Sequence, residues 1–198
     1  AAMMLGRRLG YPTSVAPPHN LPFAVLGAGL LWFGWFGFNA GSALGAGSLA
    51  TSAFVVTHIA SAAAGLTWSL IEWIRHGRPT VLGIITGAVA GLVAITPAAG
   101  LVSPISAIVL GAIAAVPSYF GLLWRARTRL DDSLDVVAAH GLGGTVGALL
   151  TGVLAEKAWG APADGLLFGN PRQFGIQVVA ILVVAAYSAS ASWALLKL

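Results

Sequence analysis

Few side chains in this sequence can do chemistry, and most of them lie inside long apolar runs. His140 follows Asp135 by five residues within the uncharged stretch 136–155. At ~1.5 Å of rise per residue the imidazole sits about 7 to 8 Å deeper than that carboxylate and, for a helix over 134–155, within about 7 Å of its midpoint. Neutral imidazole has one donor and one acceptor nitrogen, so His140 can take a proton from a small cation or polarise a small amine. The plainer reading is a neutral histidine hydrogen-bonded to a neighbouring helix, and position alone leaves both open. His58 has the same two readings, with packing the stronger, while His19 and His76 fall in loops. A second group is Trp35, Phe38 and Ser42, spaced i, i+3 and i+7 on one helical stripe. Aromatic stripes are most often packing or lipid contact, which suits Trp32, Phe33 and Phe36 on other faces. Yet an aromatic face attracts a cation by ~0.5 to 2 kcal/mol, and a serine hydroxyl accepts hydrogen bonds from N–H donors. At a helix mouth the combination suits an ammonium or alkylammonium ion.

Other chemistries are excluded. Four histidines with no HExxH pattern and no carboxylate at ligand spacing make no metal site. The absence of cysteine removes disulfides, thiol redox, iron–sulfur clusters and thiolate-bound zinc from this chain. The run Gly141–Gly147 resembles a glycine-rich dinucleotide turn, but that chemistry needs a strand before the glycines, and here they interrupt an apolar helix. No cofactor or metal is expected, and the chain is not read as an enzyme.

The elements that must carry these residues follow from composition. Of 198 residues 58% are hydrophobic and 8% charged, against about 25% charged in a soluble domain. The chain is therefore read as an all-α polytopic bundle in a lipid bilayer, and a net charge of +4 is too thin a coat for nucleic acid. Charges leave residues 9–71, 79–124, 136–155 and 173–196 bare. A crossing takes about 20 residues, so the first two stretches hold two crossings each, and six helices are expected at about 21–44, 48–74, 80–101, 103–124, 134–155 and 173–196. Uniformly apolar runs lack the alternation of barrel strands. Eight of the ten Lys and Arg fall on one side of this topology: Arg7, Arg8, Arg75, Arg78, Arg125, Arg127, Arg129 and Lys197. Both chain ends are accordingly expected in the cytoplasm of a cell membrane. Gly37 with Gly41, the series Gly83, Gly87 and Gly91, and Gly143 with Gly147 have GxxxG spacing, which predicts close helix contacts.

Three stretches resemble the ammonium transporter/Rhesus family: Pro18-His19-Asn20-Leu21-Pro22 leading to Gly34-Trp35-Phe36-Gly37-Phe38-Asn39-Ala40-Gly41-Ser42; the run Gly87 to Gly100; and Asp131-Asp132-Ser133-Leu134-Asp135-Val136 through His140 to Gly144. The resemblance covers essentially the whole chain. It implies an eleven-helix protomer of two inverted five-helix repeats plus a final helix, assembled as a homotrimer with one pore per protomer. This chain would supply helices six to eleven, with 1–8 the end of helix five. The resemblance further implies that Trp35, Phe38 and Ser42 form an outer recruitment site with Phe38 at a phenylalanine gate. It makes His140 the second of two pore histidines and puts Asp132, Asp135 and Val136 at the cytoplasmic pore end, while His58 receives no role. The first pore histidine, its neighbouring aspartate and the other gate phenylalanine would lie on helices outside this chain. So would the tail that binds a P-II-type regulator in some members. The implied function is ammonium or ammonia transport through an apolar pore; the alternative is an ammonium sensor that moves little substrate.

Overall fold

The computed structural model describes residues 2–11 and 19–198. Ala1 and Pro18, which belong to the stretches quoted above, lie outside the described residues. After a helical turn α1 (Ala2–Leu5) come α2 (Leu21–Gly41), α3 (Ser48–His76), α4 (Val81–Ile95), α5 (Pro104–Ala126), a π-helical segment (Val137–Leu142) continued by α6 (Gly143–Leu154), and α7 (Pro171–Leu195). There is no strand among the described residues. Six helices are long and apolar enough to cross a membrane, those beginning at Leu21, Ser48, Val81, Pro104, Val137 and Pro171.

Local chemistry sets the ends. Asn20 caps α2, its side chain accepting from the Phe23 N–H at 3.0 Å, with Pro22 in the first turn. The helix stops at Gly41, three residues short of expectation, because the chain turns through Leu44 at φ 55°. α3 runs two residues past its expected end to the left-handed Gly77, whose N–H bonds the Trp73 carbonyl at 2.8 Å. His76 is thus helix-terminal, where a loop was expected. Thr80 and Ser103 cap α4 and α5. α4 was expected to reach residue 101, but Pro97 tightens its end into a 3₁₀ turn over Thr96–Ala98. The fifth crossing starts at 137, not 134, because Asp135 is left-handed at φ 53° and cannot lie within a helix.

The bundle is centred on α3, which packs mainly against α4 and α5. Its buried heart joins Val56 and Ala60 of α3 with Ala94 and Ile95 of α4, Leu110 and Ala114 of α5, and Leu154 of α6. Many of these are alanines. Dispersion between such small surfaces grows only if backbones come close, which is how helices associate in lipid. A methyl at Gly91 would stand 2.6 Å from the Ala64 Cβ, one at Gly87 2.6 Å from the Trp68 Cβ, and one at Gly147 would run into the Ala94 carbonyl. The pair Gly37 and Gly41 differs from expectation: a methyl at either meets nothing within 4 Å among the described residues. The reason is rotational. Each lies about 200° around α2 from Asn39, the one buried residue of that helix.

Polar links finish the packing. Asn39 Nδ2 donates to Thr57 Oγ1 at 2.9 Å, and Ser61 Oγ donates to the Ala88 carbonyl at 2.9 Å. Glu72 closes the α3–α4 turn by accepting from the Thr80 N–H at 2.6 Å and hydroxyl at 3.0 Å. At the same end Arg8 grips Asp131 with its backbone N–H at 2.6 Å and its guanidinium at 2.7 to 3.0 Å. Asp131 is buried, and the hydrogen bonds from Arg8 hold its carboxyl below the usual carboxylate range.

Two outcomes are expected in the full-length protein. Gly147→Ala should lower stability by about 1 to 3 kcal/mol through overpacking, whereas Gly37→Ala should be neutral or stabilising by up to about 1 kcal/mol. Thermal unfolding in detergent separates them, and equal shifts would contradict the close approach of α6 to α4. Asp131, with a lowered folded pKa, contributes stability that is present above its unfolded value of ~3.9 and lost as pH falls through the folded value. The melting difference between wild type and Asp131→Asn should be flat from about pH 5 to 8 and shrink below about pH 4; a difference that grows on acidification contradicts the pairing.

Candidate functional site

Two groups of expected site residues lie on surfaces that the six-helix bundle leaves open. The first sits on the last two turns of α2. Trp35 and Phe38 meet edge to face, ring centroids 5.7 Å apart at 68°. Trp35 is half-buried and oriented by α4: its indole N–H donates to Thr96 Oγ1 at 2.8 Å, whose hydroxyl donates in turn to the Leu92 carbonyl at 2.8 Å. Phe38 is 61% exposed. Ser42 donates to the Phe38 carbonyl at 2.6 Å, which leaves its oxygen lone pairs as acceptors. The structure therefore brings all three together, with two aromatic faces beside one hydroxyl acceptor.

Asn39, between Phe38 and Ser42 in sequence, is buried where they are exposed, and its bond to Thr57 fixes the rotation of the helix that presents them. Thr96 and Asn39 thus orient the cluster without belonging to it. Their partners could not be read from sequence, because Trp35 and Thr96 are 61 positions apart.

The second group surrounds His140. It lies in the π-helical segment, with Ala138 and Ala139 buried against the bundle and the imidazole on the exposed side. There it lines a crevice of about 370 Å³ between α6 and α7, together with Thr145, Gln177, Ala180, Ile181 and Val184. None of the crevice residues carries a fixed charge. A π-helical turn is uncommon and occurs frequently at functional sites.

What precedes this turn explains it. Asp132 is buried, and its carboxylate accepts from the Val137 N–H at 2.6 Å. The Asp135 N–H bonds the Asp132 carbonyl at 3.3 Å, the Asp135 carbonyl accepts from Ala139 at 2.9 Å, and the Asp135 carboxylate pairs with Arg125 at the end of α5. Val136 is half-exposed at the same point. Sequence reasoning had counted Arg125 only as a marker of topology.

His58 is not part of this crevice. Its exposed ring stands 5.3 Å from Trp32 and 6.1 Å from Phe36, which itself stacks on Phe54 at 4.1 Å. His76 shares a hydrogen bond of 3.1 Å with Tyr119 Oη, and His19 is exposed. No group of three or more His, Cys, Asp or Glu could hold a metal among the described residues.

Comparison with known proteins identifies the family. The chain is 52% identical to an ammonium transporter of Aquifex aeolicus over 95% of its length, covering 44% of that protein. It is 46% identical to an ammonium transporter of Archaeoglobus fulgidus over 94% of its length, covering 47% of that protein. It thus spans about half the length of the curated relatives it matches. The crystal structure of Mep2 from Saccharomyces cerevisiae superposes with a TM-score of 0.88 at 35% identity, over 96% of this chain and 45% of that one. The sequence profile of the Ammonium Transporter Family matches residues 1–198, so this six-helix membrane chain, with its aromatic cluster and its uncharged histidine crevice, belongs to that family.

Proposed function

We propose that this chain is the part of a multi-pass membrane transporter that carries ammonium or ammonia. The observation that carries the reading is His140: an imidazole in the π-helical segment that opens the fifth crossing, on an exposed face, in a crevice with no fixed charge. Family membership and the 52% identical relative named an ammonium transporter support the substrate.

The chemistry runs from the mouth inward. Ammonium is recruited where Trp35 and Phe38 offer π faces and Ser42 an acceptor. Moving a bare ion from water to a low-dielectric medium has an idealised cost of order 20 kcal/mol, so an apolar lumen blocks ammonium and potassium alike. Neutral ammonia passes once a proton is lost. His140 can accept a hydrogen bond from ammonia or carry the released proton, because one imidazole nitrogen accepts while the other donates. Asp132, Asp135 and Val136 stand at the inner end. Both termini of the chain are cytoplasmic by the Lys and Arg bias, and the assembly is a homotrimer open to a P-II-type regulator, as the resemblance implies.

The test is uptake of methylammonium and ammonium-driven current by the full-length protein in vesicles. His140→Ala should lower flux by about tenfold or more, or admit potassium, without loss of assembly. Phe38→Ala should raise the apparent KM by roughly 2- to 30-fold, the range that a cation–π contact supplies, and Ser42→Ala should raise it by about 2- to 10-fold, the worth of one hydrogen bond. Unchanged uptake and selectivity in His140→Ala overturn its role. Binding of ammonium by the wild type with no uptake would turn the reading to a sensor.

A further inference from the structure

The π-helical turn under His140 has to be held in place, and the structure shows how. On its C-terminal side α6 is fixed by Gly147, whose backbone lies so close to the Ala94 carbonyl that a methyl could not be fitted between them. Leu142 is likewise seated in the space left by Gly121 of α5. On its N-terminal side the chain is fixed by carboxylates: Asp132 holds the Val137 N–H at 2.6 Å, and Asp135, turned left-handed at φ 53°, is paired with Arg125. Neither end can slide. The residues between the two anchors exceed what α-helical winding accommodates, and the surplus is taken up as the wider π turn.

That surplus decides where the imidazole points. One residue of α-helix is about 100° of rotation. If the N-terminal anchor were released and the turn relaxed to α-helical winding, residues 137–140 would rotate by about that angle, and His140 would leave the crevice for the side now held by Ala138 and Ala139. Asp135 is suited to the anchor on two counts. Aspartate tolerates the left-handed region better than most residues, and its carboxylate reaches a guanidinium that is only 13% exposed.

We propose that Arg125, through its ion pair with Asp135, is a positioning residue that holds the π register of residues 137–142 and thereby keeps His140 on the transport path. The assignment rests on the reading of His140 as a path residue, and the experiment separates the two. In the full-length protein in vesicles, Arg125→Gln should lower the Vmax of methylammonium uptake by about tenfold while the apparent KM stays within about twofold, since the outer aromatic site is untouched. Arg125→Lys should restore a large part of Vmax. Asp135→Asn, which keeps left-handed tolerance and removes the charge, should behave like Arg125→Gln, and it serves in its place if the glutamine variant does not fold.

The decisive readout is non-additivity. A residue that acts through His140 has nothing left to do once the imidazole is gone, so Arg125→Gln/His140→Ala should be no slower than His140→Ala alone. Losses that multiply in the double variant overturn the positioning role. Wild-type Vmax in both Arg125→Gln and Asp135→Asn, with His140→Ala impaired, also overturns it and leaves the path reading intact. Wild-type flux in His140→Ala instead removes the reading on which it rests.

Discussion

Close approach of backbones along α3 is the constraint on which the rest depends. In lipid there is no hydrophobic drive to bring two apolar helices together, so contact must come from dispersion at short range and from hydrogen bonds that cannot be satisfied elsewhere. Ala60, Ala64 and Gly65 give α3 a nearly flat surface, and Gly87, Gly91 and Gly111 let α4 and α5 come against it. Larger residues at these positions would push the helices apart, and with them every interhelical bond between α3 and α4. The Ser61 hydroxyl reaches the Ala88 carbonyl at 2.9 Å only because the backbones are that near.

Once this central sheaf is fixed, the outlying helices carry the chemistry. α2 buries a single residue, Asn39, and α7 buries none. Phe38, Ser42 and His140 lie on such open surfaces, the first two at the end of α2 and the last on the side of the bundle that faces α7. Their orientation is therefore not set by being packed around. It is set by hydrogen-bonded neighbours that act as pegs, buried Asn39 on Thr57 and half-buried Trp35 on Thr96 for the aromatic group, and Asp132 with Asp135 for the histidine. Neighbours hydrogen-bonded in this way hold exposed side chains in fixed positions, which a preorganised site requires.

This division explains what could be read from sequence. The bare stretches between charges mark the crossings, because a 20-residue requirement and a short list of charges leave little freedom. The stripe of Trp35, Phe38 and Ser42 is legible because helical spacing is regular, and those residues do meet. The same regularity misled at two points. Gly37 and Gly41 have the spacing of a helix contact but turn away from α3, since spacing carries no information on which face is buried. The helix of His140 was given an ordinary start at 134, and the left-handed Asp135 and the π turn were invisible because they arise from a carboxylate reaching a guanidinium on another helix. Long-range pairs such as Arg8 with Asp131, 123 residues apart, have no local pattern at all.

The placement of charge follows the same logic down to the crevice. Each of the three carboxylates between α5 and the π-helical segment has a partner that uses it: Asp131 takes Arg8, Asp135 takes Arg125, and Asp132 takes a backbone N–H. Paired in this way, they brace the loop without presenting a free anion to the crevice a few residues further on. Under the transport reading proposed above this bears on selectivity, because an unpaired carboxylate beside His140 would stabilise any monovalent cation in the crevice. The ion pairs thus do two things at once: they fix the chain that leads into the helix presenting the imidazole, and they use up the charge beside it, so that the crevice lining carries no fixed charge.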